Sequence, residues 1–523
     1  MGDQELARQR SLIDAFAATL EDQSVQVFET HISCVVVAGS YAYKFKKPVH
    51  FDFVDFSTLE ARRHYCEEEM RLNGRLAPDI YLDVVALYGT PERPMLDGTG
   101  KPLEYAVRMR SFTQQALWSY RLAQNQLEPV EVDRLADAIA GFHRSTAVAA
   151  PDSPWCTPSA LRAIADETLN VVAALSSGEE EKRMAAELQS WEAAQRDRLA
   201  TIFVKRKTGG AIRECHGDLH SGNILTMCDR VEAFDCIEFN DSLRWIDVMN
   251  DVAFACMDLR FLQRAELAAR FLNHYLEACG DYAGLQVLHY YEVHRALIRC
   301  KVALLRARQE PGREAERSSQ QAHAYLDFAQ QRVQRLRPVI LLMHGFSGCG
   351  KSTLSSHLVE ALDALRIRSD VERKRMRGIA ATEHPTGAAG LYAASAISDT
   401  YHRLRELAAD ILKAGWSVIV DATFLKAGQR APFRQLASEL EVPLYIVDMQ
   451  ASEATLCERI VRRRDEHDAS DAGVEVLLRQ LASHDPLTSE ELAQTIAVDA
   501  ENVRYAEAAH AIARRVMDPL RTA

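Results

Sequence analysis

Two runs of residues in this chain have the types and spacing that phosphoryl transfer requires. Gly345 to Ser352 read Gly-Phe-Ser-Gly-Cys-Gly-Lys-Ser, a complete G-x-x-x-x-G-K-[ST] phosphate loop. In such a loop Gly345, Gly348 and Gly350 let the backbone approach the phosphates, and Lys351 reaches the β and γ oxygens. Ser352 holds Mg²⁺ from the start of the following helix, with Thr353 beside it. Well upstream, His216 to Asn223 read His-Gly-Asp-Leu-His-Ser-Gly-Asn. That run follows a different design, in which an acid positions an acceptor hydroxyl and an amide five residues later helps to hold a divalent metal. Two separate ATP sites in one polypeptide follow.

In the upstream run Asp218 is the acid, and Asn223 is a metal ligand. Asp235 ends the stretch Val231-Glu232-Ala233-Phe234, an apolar approach that delivers its carboxylate beside Asn223 as a second ligand. Asp247 and Asp251 are expected to cap or brace a helix, and His220 to hydrogen-bond within its own loop. In the downstream run Asp421, closing Val418-Ile419-Val420, is the metal carboxylate. Arg368-Ser369-Asp370 followed by Arg373 places an acid where an acceptor hydroxyl can approach, and an arginine for an anionic group on that acceptor. Arg459, Arg462, Arg463 and Arg464 crowd one helix and the loop after it, a self-repelling array that suits a lid closing over phosphates. Cys349 reads as a small residue fitted into the loop, where oxidation would obstruct nucleotide binding.

The elements that must carry these residues fall into two parts. Val35–Val37 and Tyr41–Phe45 read as strands around an Ala38-Gly39-Ser40 hairpin, followed by a helix from Leu59 to Leu76. Ile80–Leu87 and Leu103–Met109 read as further strands, giving a small antiparallel lobe with one helix over about residues 1–112. From about 113 to 335 the pattern is helical, through Val130–His143, Ser159–Phe203 and Trp245–Arg308, interrupted by the His-Gly-Asp region. A break at 309–314 precedes a polar helix reaching Arg337, and the domain boundary is placed near Arg337-Pro338, so that 336–523 forms the second domain. There Val339–Met343, Val418–Asp421 and Leu444–Asp448 are apolar runs of strand length, the pattern of a mainly parallel α/β sheet buried on both faces.

Bulk composition agrees with a multidomain globular chain: 523 residues, 47% apolar, 26% charged. A net charge of −12 offers no general attraction to nucleic acid or to an anionic membrane. No apolar stretch approaches the ~18 residues of a membrane span, and the N-terminus has no signal-peptide pattern, so a cytoplasmic location is expected. The 11 cysteines lack paired spacing, and most read as buried small hydrophobes.

Residues His216-Gly217-Asp218 to Asn223 and Asp235 resemble the aminoglycoside phosphotransferase and choline kinase group of the protein-kinase-like fold, over roughly residues 1–335. The resemblance implies an α+β two-lobed domain in which Asp218 is the catalytic base and Asn223 and Asp235 bind Mg²⁺. It implies further that Lys44 holds the ATP phosphates and that Glu69 pairs with it. Lys46 shares the strand face of Lys44 and competes for that role, as Glu67 and Glu68 compete with Glu69. The sequence departs from the kinase pattern in having only Ala38-Gly39-Ser40 where a G-x-G-x-x-G loop precedes the lysine. The phosphate-loop part is similar to the nucleoside-monophosphate-kinase-like branch that includes gluconate kinases, zeta-toxin-like kinases and polynucleotide kinases. By that likeness Asp370 activates the acceptor, Arg373 binds it, and the arginines, Arg459 and Arg463 among them, form the lid over the nucleotide. No acceptor signature is present, and the modest basic cluster does not demand a nucleic acid. The whole arrangement resembles bacterial fusions of an aminoglycoside phosphotransferase-like domain with an AAA-type ATP-binding domain, including His31-Ile32-Ser33, Tyr43 to Pro48 and Asp55 to Leu59. The expectation is a bifunctional phosphotransferase dependent on ATP and Mg²⁺ and acting on small hydroxylated molecules. The alternative is one catalytic half, with the other a nucleotide-binding regulator or ATPase.

Overall fold

The computed structural model describes residues 2–20, 25–51, 54–334, 337–379, 394–463 and 473–521. Two compact units emerge: residues 1–262 with 290–323, and residues 263–289 with 324–523. The second unit thus takes in 263–289, a stretch of sequence well before Arg337-Pro338.

The first unit opens with an antiparallel sheet in the order Gln26–Glu29, Ser33–Ala38, Tyr41–Lys46, Glu104–Arg110, Tyr81–Thr90, Arg93–Met95. Ser33–Ala38 and Tyr41–Lys46 are joined by the Gly39-Ser40 turn, and Lys44 sits between Val35 and Val107 in register. The helix Leu59–Asn73 starts at Thr58, whose hydroxyl accepts the Ala61 N–H at 3.1 Å, a cap that sets where the helix begins. It packs on Glu104–Arg110, which turns Glu69 inward.

Beyond the sheet the unit is helical, and one expectation needs correction. The helical stretch read over Ser159–Phe203 comprises two helices, Pro158–Leu175 and Glu179–Thr208. Between them Ser176 ends the first and Gly178 starts the second, with Glu181 accepting the Gly178 N–H at 3.2 Å. Trp245–Asp247 does not begin a helix but forms a short strand against Ile212–Glu214, because pairing with a distant segment satisfies its backbone. The helix Val248–Phe261 follows, capped by Asp247, whose carboxylate accepts the Met249 N–H at 2.9 Å.

The hairpin Ile224–Met227 and Arg230–Ala233 carries Glu232, whose buried Oε2 has no hydrogen-bond partner among the described residues. Burial, with the negative charge of Asp79, pushes this carboxyl from 4.5 up to about 7. The folded chain therefore keeps a proton that the unfolded chain releases, so the contribution to stability is full at low pH and lost as pH rises through about 7. Glu232→Gln is expected to raise the urea midpoint at pH 8 and leave it unchanged at pH 4; equal midpoints at pH 8 would contradict this.

In the second unit five strands pair in parallel, in the order Leu365–Arg368, Val418–Asp421, Ile340–His344, Leu444–Gln450, Thr495–Asp499. Val339 to Met343 are fully buried, as the unbroken apolar run requires of a central parallel strand. The phosphate loop leaves the carboxyl end of this central strand, the place where open α/β sheets bind ligands. Gly345, Gly348 and Gly350 all have φ between +86° and +135°. A Cβ on Gly345 would also lie 2.8 Å from the Met449 carbonyl, so this loop path excludes a side chain. The helix Lys351–Leu362 follows directly. Among the described residues no helix is long and apolar enough to cross a membrane.

Candidate active sites

The first site is built on a loop whose backbone is tied down from below. Asp251 accepts the N–H groups of His216 and Gly217 at 2.7 and 2.8 Å and faces His143 Nε2 at 3.3 Å. Asp258 accepts the Ser221 N–H at 2.8 Å, and Arg295 donates to the Gly217 carbonyl at 2.9 Å. Asp251 thus braces the loop that carries Asp218 rather than a helix, which corrects the sequence expectation; Asp247 does cap one. Gly217 has φ +87°, and a Cβ there would meet the Leu243 carbonyl at 2.7 Å.

Asp218 stands at the top of this loop. Asn223 Nδ2 donates to its carboxylate at 2.9 Å and to its carbonyl at 3.1 Å, which leaves the amide oxygen of Asn223 for another partner. His220 Nδ1 accepts the Gly222 N–H at 3.1 Å, which places the ring proton on Nε2, 3.4 Å from Asp218 Oδ2. His220 is therefore the loop hydrogen-bonder expected from sequence and touches the acid as well. Burial opposes the charged form of Asp218, but the hydrogen bond from His220 and the charge of Arg299 outweigh it and hold the carboxyl well below the usual range. His216 Nε2 bonds the Phe234 carbonyl at 2.9 Å, and burial lowers its pKa, so it stays neutral.

Asp235 adopts a left-handed φ of +63° directly after Phe234, whose N–H bonds the Asn223 carbonyl at 2.9 Å. Its side chain remains 42% exposed and forms an ion pair with Lys44. Lys44 also donates to Glu69 Oε1 at 2.7 Å. Of the three glutamates weighed for this place, Glu67 pairs with Arg63 on the outer face of the helix and Glu68 pairs with Arg71, while Glu69 is fully buried. Lys46 does not replace Lys44: it lies behind it, wholly buried, ion-paired with Glu69 Oε2 and with Glu238. One carboxylate is thereby gripped from both sides by two lysines. Burial opposes the ionised Glu69, and Lys44 and Lys46 overcome this and lower its pKa; burial dominates at Glu238 and raises it. Sequence reading missed Glu238, although Asp235-Cys236-Ile237-Glu238 returns an acid three residues past the metal candidate.

The second site is a cavity of about 660 Å³. Lys351, Ser352, Thr353, Asp370, Arg373, Asp421 and Arg459 all line it, with Gly348 and Gly350. Lys351 Nζ donates to the carbonyls of Gly345 and Phe346 at 3.0 and 2.8 Å. Asp421 accepts the Ser355 hydroxyl at 3.1 Å, and its strand register beside Met343 sets it next to the loop. Arg373 donates to Asp370 at 2.8 Å, on the short helix Ser369–Arg375. Arg459 donates to the Ala500 carbonyl at 2.8 Å, and Arg462 also lines the cavity. Arg463 closes the helix Glu453–Arg463, with its side chain outside the described residues; Arg464 lies outside them entirely. Tyr401, Lys426 and Tyr505 line the cavity without any sequence signal to mark them, because each comes from a separate element.

Both donor sets suit ATP with Mg²⁺. The first offers the Asn223 amide oxygen and the Asp235 carboxylate beside a lysine, and the second a serine hydroxyl, a carboxylate and a lysine at a helix N-terminus, all hard oxygen ligands with cations for phosphate.

Comparison with known proteins agrees with this geometry. Residues 61–288 match the model described as "Phosphotransferase enzyme family", and residues 340–487 match an AAA domain. An uncharacterized protein of Mycobacterium tuberculosis and one of Mycobacterium bovis are each 32% identical over 478 residues, covering 88% of this chain and 90% of the relative. The chain belongs to their family. This chain joins a phosphotransferase-family region to an AAA-type phosphate-loop region, and it is a kinase of the class that uses ATP with Mg²⁺ and a hydroxyl acceptor. Among solved structures, a choline/ethanolamine kinase family protein from Mesorhizobium loti is 14% identical, covering 62% of this chain and 99% of its own, with a TM-score of 0.38. A gluconokinase from Sinorhizobium meliloti is 24% identical, covering 36% of this chain and 98% of its own, with a TM-score of 0.26.

Proposed function

We propose that both family regions are catalytic, making the chain a cytoplasmic bifunctional kinase with two separate ATP sites and a small hydroxylated acceptor at each. The first site belongs to residues 1–335 and the second to 336–523. The observation that carries the reading is that each unit gathers a complete set from distant parts of its own sequence: Lys44, Glu69, Asp218, Asn223 and Asp235 in one, Lys351, Ser352, Asp370, Arg373 and Asp421 in the other.

At the first site Lys44, fixed by Glu69, holds the phosphate tail. Asp218 accepts a hydrogen bond from the acceptor hydroxyl and aims its oxygen at the γ-phosphorus. The new O–P bond forms as the bond to the β,γ-bridging oxygen breaks, ADP departs, and the hydroxyl proton passes to Asp218. Its lowered pKa makes Asp218 a weak base, so it orients the hydroxyl first and takes the proton late. Asn223 and Asp235 would hold Mg²⁺, which neutralises charge on the phosphates. At the second site the loop amides and Lys351 hold the β and γ phosphates, Ser352 and Asp421 would hold Mg²⁺, and Asp370 receives the acceptor proton. Arg373 binds an anionic group of the acceptor, and Arg459 closes over the nucleotide.

The test is to incubate the chain with a cell metabolite extract and terminally labelled ATP, then identify the labelled products. Asp218→Asn and Lys351→Ala should each erase a different subset. Lys351→Ala removes the one cation set within the phosphate loop and should cost about a hundredfold in its own subset. If one variant leaves every product unchanged, that half is not a kinase; ATP hydrolysis lost in Lys351→Ala without any labelled product would favour an ATPase there.

A further inference from the structure

The helix Ala265–Cys279 lies inside the stretch matched by the phosphotransferase family model, yet it is built into the phosphate-loop unit. It packs along the helix Lys351–Leu362 and the edge strand Leu365–Arg368, and Ala269 belongs to the same buried core as Met343, Leu354 and Val447. Arg270 pairs with Glu360 at 2.7 Å. Asn273 Oδ1 accepts the Arg366 N–H at 2.7 Å, satisfying a backbone donor at the exposed side of the edge strand.

The last turn of this helix meets three arginines of the phosphate-loop region. Glu277 Oε2 lies 3.3 Å from Arg366 Nη2, and Oε1 lies 3.1 Å from Arg368 Nη1. Arg375 donates to the Glu277 carbonyl, and Gly280 closes the helix in the left-handed conformation, returning its N–H to Leu276 at 2.8 Å. Cations suit this end, where the helix dipole is negative. Burial opposes the Glu277 carboxylate, and Arg366 and Arg368 overcome it and lower its pKa.

Both arginines touch the machinery of the second site. Arg366 Nη1 donates to the Ser352 carbonyl at 3.1 Å and the Ser356 hydroxyl at 2.8 Å, bracing the first turn after the phosphate loop. Arg368 lines the cavity and leads directly into Ser369-Asp370. A single carboxylate thus holds one guanidinium under the loop helix and another on the cavity wall.

We propose that Glu277 is a positioning residue of the phosphate-loop site, acting through Arg366 and Arg368, so that a helix from the phosphotransferase-family region completes the second centre. This rests on reading that centre as a nucleotide site. Glu277 keeps Arg368 against the wall and offsets its charge, so that the arginine frames the acceptor space instead of clasping the phosphates.

The experiment uses the full chain and Mg²⁺ with a fluorescent ATP analogue, taking the Lys351-dependent part of binding and of ATP turnover. Glu277→Gln is expected to lower the dissociation constant about fivefold, because loss of the carboxylate adds net positive charge beside an anion cavity, and to lower turnover about tenfold. The tightening should vanish in Glu277→Gln/Arg368→Gln, and Glu277→Asp should fall between the parent and Glu277→Gln. A merely structural role would weaken binding in step with a lower melting temperature. That result, or unchanged binding and turnover, overturns the assignment. If Glu277→Gln does not fold, Glu277→Asp decides: the same opposed changes in smaller size support the proposal, and parent behaviour overturns it. If the parent shows no Lys351-dependent turnover, the kinase reading of that half fails, while the binding shift and its loss in the double variant still decide the role of Glu277.

Discussion

Asp218→Asn should lower first-site phosphoryl transfer by about a thousandfold, with the KM for ATP changed by less than about threefold. The asparagine keeps the size of the side chain and can still face Asn223 and His220, so the loop has no reason to move. What it loses is the carboxylate that accepts the hydroxyl hydrogen bond and, late in the reaction, the proton. On the proposed assignment ATP is held elsewhere, by Lys44 and the ligand pair Asn223 and Asp235, which is why binding should survive. Steady-state kinetics on any acceptor found by the labelling screen measure this directly. A loss smaller than about tenfold would remove Asp218 from the role of base.

Lys46→Met should cost the first unit about 3–5 kcal/mol, a large share of the ~5–15 kcal/mol that holds a typical domain together. Lys46 is fully buried between Glu69 and Glu238, and its removal leaves two carboxylates with only Lys44 beside the first. Glu238 then has no ion-pair partner in this network and must take up a proton to stay buried. Its pKa is already raised in the parent protein, and a raised carboxyl contributes stability at low pH that is lost as pH rises. The deficit of Lys46→Met should therefore be smaller at pH 5 than at pH 8. Lys46→Met/Glu238→Leu, which removes both charges and keeps the volume apolar, should recover most of the loss. Urea unfolding at the two pH values checks all three statements; an equal loss at both would mean that Glu238 does not carry the uncompensated charge.

The same network explains how Glu69 is held. In a kinase-like site the lysine and its glutamate come from a strand and a helix that can separate. Here Glu69 is pinned by Lys46 and Tyr81 as well as by Lys44, with the Tyr81 hydroxyl 3.4 Å away. The helix Leu59–Asn73 is accordingly fixed inward by contacts that do not involve ATP.

How much of this was legible in the sequence depended on distance along the chain. Both phosphate signatures are local. Gly345 to Ser352 and His216 to Asn223 each specify their own loop, because the glycine positions, the hydrogen bond from Asn223 to Asp218 and the start of the helix at Lys351 are set by neighbours a few residues away. Parallel strands were legible for a similar reason: a strand covered on both faces must be apolar throughout, and Val339–Met343 and Val418–Val420 are. The choice among Glu67, Glu68 and Glu69 was not legible, since any of them can form a helix and only packing on Glu104–Arg110 turns one inward. Lys46 and Lys44 share a strand face, and their roles separate only where Glu238 and Asp235 arrive from 192 and 191 residues away.

From its own residues, then, the sequence determined the two motif loops, Gly345 to Ser352 and His216 to Asn223, and the kinase class they mark. Tertiary structure alone decided the partners. It made Trp245–Asp247 a strand by pairing it with Ile212–Glu214, set Asp251 under the His-Gly-Asp loop, buried Lys46 between two acids, and built Ala265–Cys279 with Glu277 into the phosphate-loop unit. The reason is physical. A loop is specified by φ, ψ and short-range hydrogen bonds that its own residues carry, whereas the net charge and geometry of a buried site depend on which distant side chains share the space from which water has been removed.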